Sequence, residues 1–412
     1  MEENYPMLSV EDALARFLEH FHPLEPERVP VLDAVNGVLA DDLVAAYDIP
    51  PHANSAMDGY AVRVEDTAGA RDEAPRRLRV AGELAAGYTR DAPLEPETTI
   101  RIMTGAPIPP GASAVIPFEE TARDGDAILV TRRYPHHANI RVAGEDVRAG
   151  ELVLAHGMVL RPQEIGMLAA LGHAEVTVYR RPRVAILSTG DEVVDASEPL
   201  TAGKIRDANG YSVAAAVVKY GGVPLRLGIA RDTVEELTAK IREGLAQRAD
   251  LFITSGGVSV GDFDVVKQVL AAEGEITFWR VRMKPGKPLA FGTIQGVPLL
   301  GLPGNPVSAL MSFELFGRPA LLKMQGKTRL AKPTIEATLA DEIKRKDDRR
   351  HYVRVRLETR GGETVAHLTG DQGSGILLSM VRADGVAIIP EDWKRVEAGT
   401  RVRVMMLDWT EV

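Results

Sequence analysis

Two aspartates, Asp262 and Asp264, end the segment LFITSGGVSVGDFDVV (residues 251–266), directly after a turn that contains Ser255, Gly256, Gly257 and Ser259. Glycine and serine let a ligand lie against backbone N–H groups, as in loops that cradle phosphate. Carboxylates repel a phosphate unless a cation stands between them, so the combination points to a phosphorylated ligand bridged by a hard divalent ion, most simply Mg2+. LSTGDEV repeats the mixture with Ser188, Thr189, Gly190, Asp191 and Glu192, and GIARD adds Asp232. GLPGNPVSAL contributes Pro303, Gly304, Asn305 and Pro306, with Asn305 at an N-cap and Pro306 in a first helical turn whose free N–H groups favour an anion. RMKPGKPLAFG supplies the opposite charge: Lys284 and Lys287 flank a Pro-Gly turn, so two ammonium groups ride on a stiff segment and can meet separate oxyanions. Taken singly, each acid is explained by a helix dipole and the lysines by solvation. Their joint placement is not.

That placement follows from the elements around them. Residues 183–325 alternate strand-like and helix-like runs: RVAILST, GYSVAAAVVKYG, VPLRLGIA, TVEELTAKIREGLAQ and DLFITS. Such alternation predicts βαβ units and a parallel sheet covered by helices, with continuous apolar strands buried on both faces. Ligands bind such a sheet outside the carboxyl ends of its strands, where the acidic and glycine-rich loops fall. Downstream, HYVRVRLETRGGETVAHL reads as a hairpin about Gly-Gly, and GVAIIPE and TRVRVMML add strands, so residues 327–412 form a small all-β domain. Upstream, Leu14, Phe17, Leu18 and Phe21 repeat at helical spacing behind Ser9 as a cap. From about 25 to 180, short β-prone runs are broken by Pro and Gly, with one short helix near RPQEIGMLAALG.

Composition narrows the function. The 412 residues allow two to four domains, and Lys+Arg 49 against Asp+Glu 58 gives a net charge of −9, so nothing global favours nucleic acid or an anionic membrane, and any bound anion needs a local site. With Cys 0, disulfides, thiolate metal ligands and a cysteine nucleophile are excluded. The chain has neither G-x-S-x-G nor G-x-x-x-x-G-K-[ST], which argues against serine hydrolases and P-loop NTPases. The adjacent His136 and His137 cannot chelate one ion as an i, i+4 helical pair would. The acidic amino terminus lacks the basic and apolar regions of a signal peptide, and no apolar stretch is of membrane-spanning length, so a cytoplasmic protein is expected.

In the β-rich half, NSAMDGYAV (54–62), MTGAPIPPGASAVIP (103–117) and NIRVAGEDV (139–147) do not by their spacing alone imply catalysis. Together with STGDEV, TSGGVSVGDFD, KPGKPLAFG and GLPGNPVSAL, however, they occur in the order of the MoeA family, the molybdopterin molybdenumtransferases, which includes the E domain of gephyrin. The chain resembles this family from about residue 7 onward, most specifically in NSAMDGYA, SGGVSVG and PGNP. The resemblance implies an α/β plus β multidomain fold. An interrupted linker domain (1–48 and 140–180) encloses a β-rich lid (49–139), followed by a MogA-like α/β molybdopterin-binding domain (181–326) and a C-terminal β barrel (327–412). It implies insertion of molybdate into adenylylated molybdopterin, with Mg2+-dependent hydrolysis and release of AMP. It also implies a homodimer whose site is shared between subunits, and an encounter with the molybdopterin adenylyltransferase.

Carried over by motif, Asp58, Thr104, Arg141 and Asp146 match lid-side positions. Glu192, Asp232, Asp264, Lys284 and Lys287 match the α/β domain, with Pro303 and Pro306 shaping the last loop and Ser374 in DQGSGIL a further position. Glu192, Asp232 and Asp264 are the implied Mg2+ ligands, the choice among them staying open. His52-Ala53 and Ser113 depart from the family pattern without removing a group the chemistry needs. Two other readings stay open: adenylyl transfer onto molybdopterin, and a non-catalytic gephyrin-like scaffold.

Overall fold

The computed structural model describes residues 7–231, 233–256, 274–345 and 347–408. Its contacts divide the chain into two compact units. One comprises residues 1–29, 36–40 and 177–412, the other residues 30–35 and 41–176.

The larger unit is built on a seven-stranded sheet. Arg183–Thr189 lies parallel between Val223–Ala230 and Leu251–Ser255, and Val297–Leu302 runs parallel to Leu251–Ser255 on its other side. These four strands are the apolar runs of the sequence, and they end on one edge of the sheet. The expected parallel sheet is only part of the whole. Pro288–Ile294 pairs antiparallel with both Gly274–Val281 and Val297–Leu302. The connections there, residues 282–287 and 295–296, are too short for the crossover that a parallel neighbour requires.

Helices cover both faces. On one, Val10–Leu18, Ala208–Lys219 and the segments 306–324 enclose a core with Phe17, Val213, Val217, Phe313 and Phe316 all fully buried. Phe17 meets Phe21, Phe291 and Phe316 at centroid distances of 4.8, 5.1 and 6.2 Å. Ser9 caps the first helix by accepting from Asp12 N at 3.0 Å, as the spacing requires. On the other face, Val234–Ala246 buries Leu237 and Ile241 against Leu187, Phe252 and Leu299.

The last domain is a closed barrel. Arg350–Arg360 pairs with Glu363–Leu368, which pairs with Thr334–Leu339, then Arg401–Met406, then Gly385–Ile389, which returns to Arg350–Arg360. The hairpin about Gly361-Gly362 is the one read from the sequence.

The smaller unit carries a six-stranded sheet in which Gly59–Val62 lies between Thr98–Ile102 and Ala114–Pro117. A helix, Pro162–Ala170, follows the β-rich run. Among the described residues no helix is long and apolar enough to cross a membrane.

Candidate active site

The loops at the carboxyl edge of the parallel strands build one recess of about 130 Å3. Ser188, Thr189 and Glu192 reach it from the first strand, Ser255 and Gly256 from the third, and Gly304 and Pro306 from the turn after Leu302. Gly256 stands at φ +89°, where a Cβ would meet Thr189 O at 2.7 Å, so the close approach of these two loops demands glycine. Gly190 adopts φ +134°, and the Glu192 carboxylate folds back over it, within 3.0 Å of where a Cβ would stand. Asp207, N-cap of the helix Ala208–Lys219, is buried and accepts from Gly210 N and Ser188 Oγ, both at 2.8 Å. Two polar atoms of this wall, Thr189 Oγ1 and Asn209 Oδ1, are buried with no partner among the described residues. Asp232, Gly257, Ser259 and Asp264 fall outside the described residues.

Lys284 lines a different and larger cavity, of about 650 Å3, together with Ser308, Arg349, His351, Arg354 and Ser374. The strand pairing Met283–Lys284 with Arg350–His351 brings the KPGK segment against the barrel. Arg354 is 1% exposed and lacks a carboxylate within ion-pair distance among the described residues. Its guanidinium donates to Ser379 Oγ at 3.1 Å and Gly373 O at 3.3 Å. Burial lowers its pKa to about 10, against the pull of Asp371, so it stays a cation at neutral pH. Burial alone would raise the Asp347 carboxyl, but hydrogen bonds from Arg349 and His351 outweigh it and hold the group well below the usual carboxylate range. Asp347 in turn lies 3.7 Å from Lys284 Nζ and 2.8 Å from Arg349. Burial keeps His351 below the ordinary imidazole range.

The lysines therefore separate: Lys284 faces this cavity, whereas Lys287 is exposed and lines neither recess. Glu192 and Lys284 occupy different recesses, joined by the turn of residues 304–308, which contributes Gly304 and Pro306 to one and Ser308 to the other. Pro303 is buried behind it. Asn305 is the N-cap of Pro306–Ser312, yet its side chain makes no capping bond, and Val307 N, a donor the sequence left free for an anion, is taken by Ser374 O at 3.0 Å.

In the smaller unit three motifs meet. Arg141 pairs with Asn54 across a short antiparallel ladder, and Gly105 N donates to Ser55 O at 2.8 Å. Asp58 Oδ1 accepts from both Thr104 N and Thr104 Oγ1, each at 2.7 Å, and these two bonds, backbone first, lower the carboxyl's pKa. Asp58, Thr104, Arg141 and Asp146 are all exposed. Ser113 Oγ accepts from Val64 N at 2.9 Å, a turn-fixing task open to an aspartate as well.

Sequence reasoning missed Asn209, Ser308, Arg349 and Arg354. Asp207 could have been found as an N-cap ahead of an apolar run. Arg354 could not, because HYVRVRL reads as ordinary alternation; the barrel core takes Val353 and Val355, and the opposite face with Arg354 is covered by Gly373 and Ser379.

An acidic recess at the carboxyl edge of the α/β sheet thus lies beside a cationic cavity against a β barrel. The MoeA N-terminal region (domains I and II) matches residues 8–172, a probable molybdopterin-binding domain residues 185–323, and the MoeA C-terminal region (domain IV) residues 336–407. Molybdopterin molybdenumtransferase 2 of Mycobacterium tuberculosis is 39% identical over 404 residues, 97% of this chain and 99% of that one. The molybdopterin molybdenumtransferase of Haemophilus influenzae is 36% identical over 405 residues, 97% of this chain and 98% of that one. Two crystal structures of the molybdopterin biosynthesis MoeA protein of Pyrococcus horikoshii superpose with TM-scores of 0.84 and 0.81, at 32% and 33% identity, covering 98% and 97% of this chain and 100% of theirs. The chain belongs to the MoeA family, the molybdopterin molybdenumtransferases.

Proposed function

We propose that this protein inserts molybdate into adenylylated molybdopterin, with Mg2+-dependent hydrolysis of the adenylyl pyrophosphate and release of AMP. The observation that carries the reading is the pair of recesses joined by the turn of residues 304–308, which suits a cargo with two anionic parts. In the larger cavity Lys284, Arg349 and Arg354 offer charge and Ser308 and Ser374 offer hydroxyls, a set fitted to a tetrahedral oxyanion. In the smaller, hydroxyls and backbone of residues 188–189 and 255–256 receive the phosphorylated end.

The donors on that wall are oxygens, the kind Mg2+ prefers, and water and substrate phosphate would supply the rest. Among the described residues no cluster of three acids or histidines forms. Glu192 is thus the described carboxylate that would hold the ion, and Asp232 and Asp264 are the further candidates from the sequence. Bound there, Mg2+ would neutralise pyrophosphate charge and favour attack by water. Asp58, ionised at neutral pH, orients water or a ligand hydroxyl from the lid, with Thr104 fixing its angle; Arg141 and Asp146 contact the cargo from the same side. Because these groups are exposed, they act on a covered ligand only across an interface, which supports a homodimer with composite sites; a cytoplasmic location and an encounter with the adenylyltransferase that delivers the cargo complete the proposal.

AMP release from adenylylated molybdopterin, with molybdate and Mg2+, tests the reading. Wild type should release AMP without ATP, and Lys284→Ala and Asp58→Ala should each lose at least about tenfold in rate, the loss expected for one charged contact. Wild-type rates in both variants would remove those roles.

A further inference from the structure

The recess beside Glu192 needs its loops held at a fixed separation, and the first turn of the helix Ala208–Lys219 provides the stitches. Asp207 takes the Ser188 hydroxyl at 2.8 Å. Asn209 Nδ2 donates to Ser255 Oγ and to Gly304 O, both at 2.7 Å. One amide group, with two N–H donors, thereby fastens the glycine turn at 255–256 to the turn at 304–306, the two lips of the recess. Asn209 also lines the recess itself. A purely structural amide would be satisfied throughout. Here, among the described residues, the Oδ1 atom of Asn209 has no partner, and neither does the neighbouring Thr189 Oγ1.

We propose that Asn209 is a positioning residue which sets the spacing of these two lips and thereby the affinity for the phosphorylated end of the cargo; the inference rests on the functional reading above. Alanine removes both tethers. Aspartate keeps the shape and can accept from the Ser255 hydroxyl, but it has no N–H to give and sets an anionic oxygen against the Gly304 carbonyl. The Gly304 tether then fails while the Ser255 tether survives.

The test is steady-state AMP release by the full-length protein from adenylylated molybdopterin, with molybdate and Mg2+, alongside thermal unfolding. Asn209→Ala and Asn209→Asp should each raise KM about tenfold, the value of one or two lost hydrogen bonds. In both, kcat should stay within about threefold and Tm within a few degrees. An unchanged KM in both variants overturns the inference, as does a joint fall of kcat and Tm with KM unmoved, which marks a structural amide only. Should Asn209→Ala fail to fold, the near-isosteric aspartate variant decides. If wild type itself releases no AMP, the functional reading fails; if wild type turns over and the variants match it, only the role of Asn209 does.

Discussion

The two units present their chemistry in opposite ways. In the larger one the reactive side chains line recesses and are fixed by buried polar groups: Arg354 by Ser379 and Gly373, Ser188 by Asp207. In the smaller one Asp58, Thr104, Arg141 and Asp146 are all exposed, Asp58 and Thr104 directly beside the buried strands Gly59–Val62 and Thr98–Ile102. A recessed charge gains strength from low dielectric and can bind on its own. An exposed carboxylate is screened, so its worth depends on geometry and on whatever later covers it. On the function proposed above, the contrast predicts that one unit supplies affinity and the other alignment.

Breaking the smaller unit should give the largest effect. A Cβ on Gly59 would stand 2.0 Å from Ile116 O, a backbone atom held by strand pairing. Gly59→Ala should therefore cost the β-rich unit about 3 kcal/mol, lowering its thermal transition by about 10 °C in calorimetry. Tungstate binding at the Arg354 cavity, followed by titration calorimetry, should not change.

Breaking the larger unit calls for Arg354→Met, which keeps bulk and removes charge. Loss of two charge-assisted bonds to an oxyanion predicts about a hundredfold weaker tungstate binding. The Tm should hold or rise, because a buried cation without a carboxylate partner among the described residues is costly to fold around. Unchanged affinity would show that the cavity does not recognise anions.

Glu192→Gln sharpens the division within the larger unit. AMP release should fall about tenfold and need more Mg2+ for half-maximal rate, the size of one lost charged ligand contact, with tungstate affinity intact. A parallel loss of tungstate binding would merge the two recesses into one site.

The smallest effect belongs to Thr104→Val, which removes the hydroxyl donor and leaves the backbone one. Asp58 has a folded pKa below its unfolded value, so its contribution is present above the unfolded pKa and is lost as pH falls through the folded one. The substitution moves that folded pKa upward. The acid limb of the rate profile should shift to higher pH, with Asp58 titration followed by NMR as the check.

Much of the fold is legible in the chain because the relevant signals are local. The apolar runs 183–189, 223–230 and 251–255 form the strands expected of them, and the hairpin about Gly361-Gly362 forms as read. The loops following those strands converge because parallel strands share an edge, so the strand pattern alone groups Ser188, Thr189, Glu192, Ser255 and Gly304. What escapes is set by contacts distant in sequence. Lys284 meets Ser374 across a cavity that exists only once a barrel closes, and Thr104 grips Asp58 across 46 positions. The antiparallel course of 288–294 is hidden for another reason: its apolar run has the same texture as a parallel strand, and only the short connections distinguish it.

The closed ring of five strands has a consequence of its own. Each strand there has a neighbour on both sides for at least part of its length, and Met283–Lys284 pairs with Arg350–His351, a stretch that the ring neighbour Glu363–Leu368 does not reach. The chain thus fills with its own backbone part of the rim on which another strand could add, which narrows the room for sheet-mediated association there.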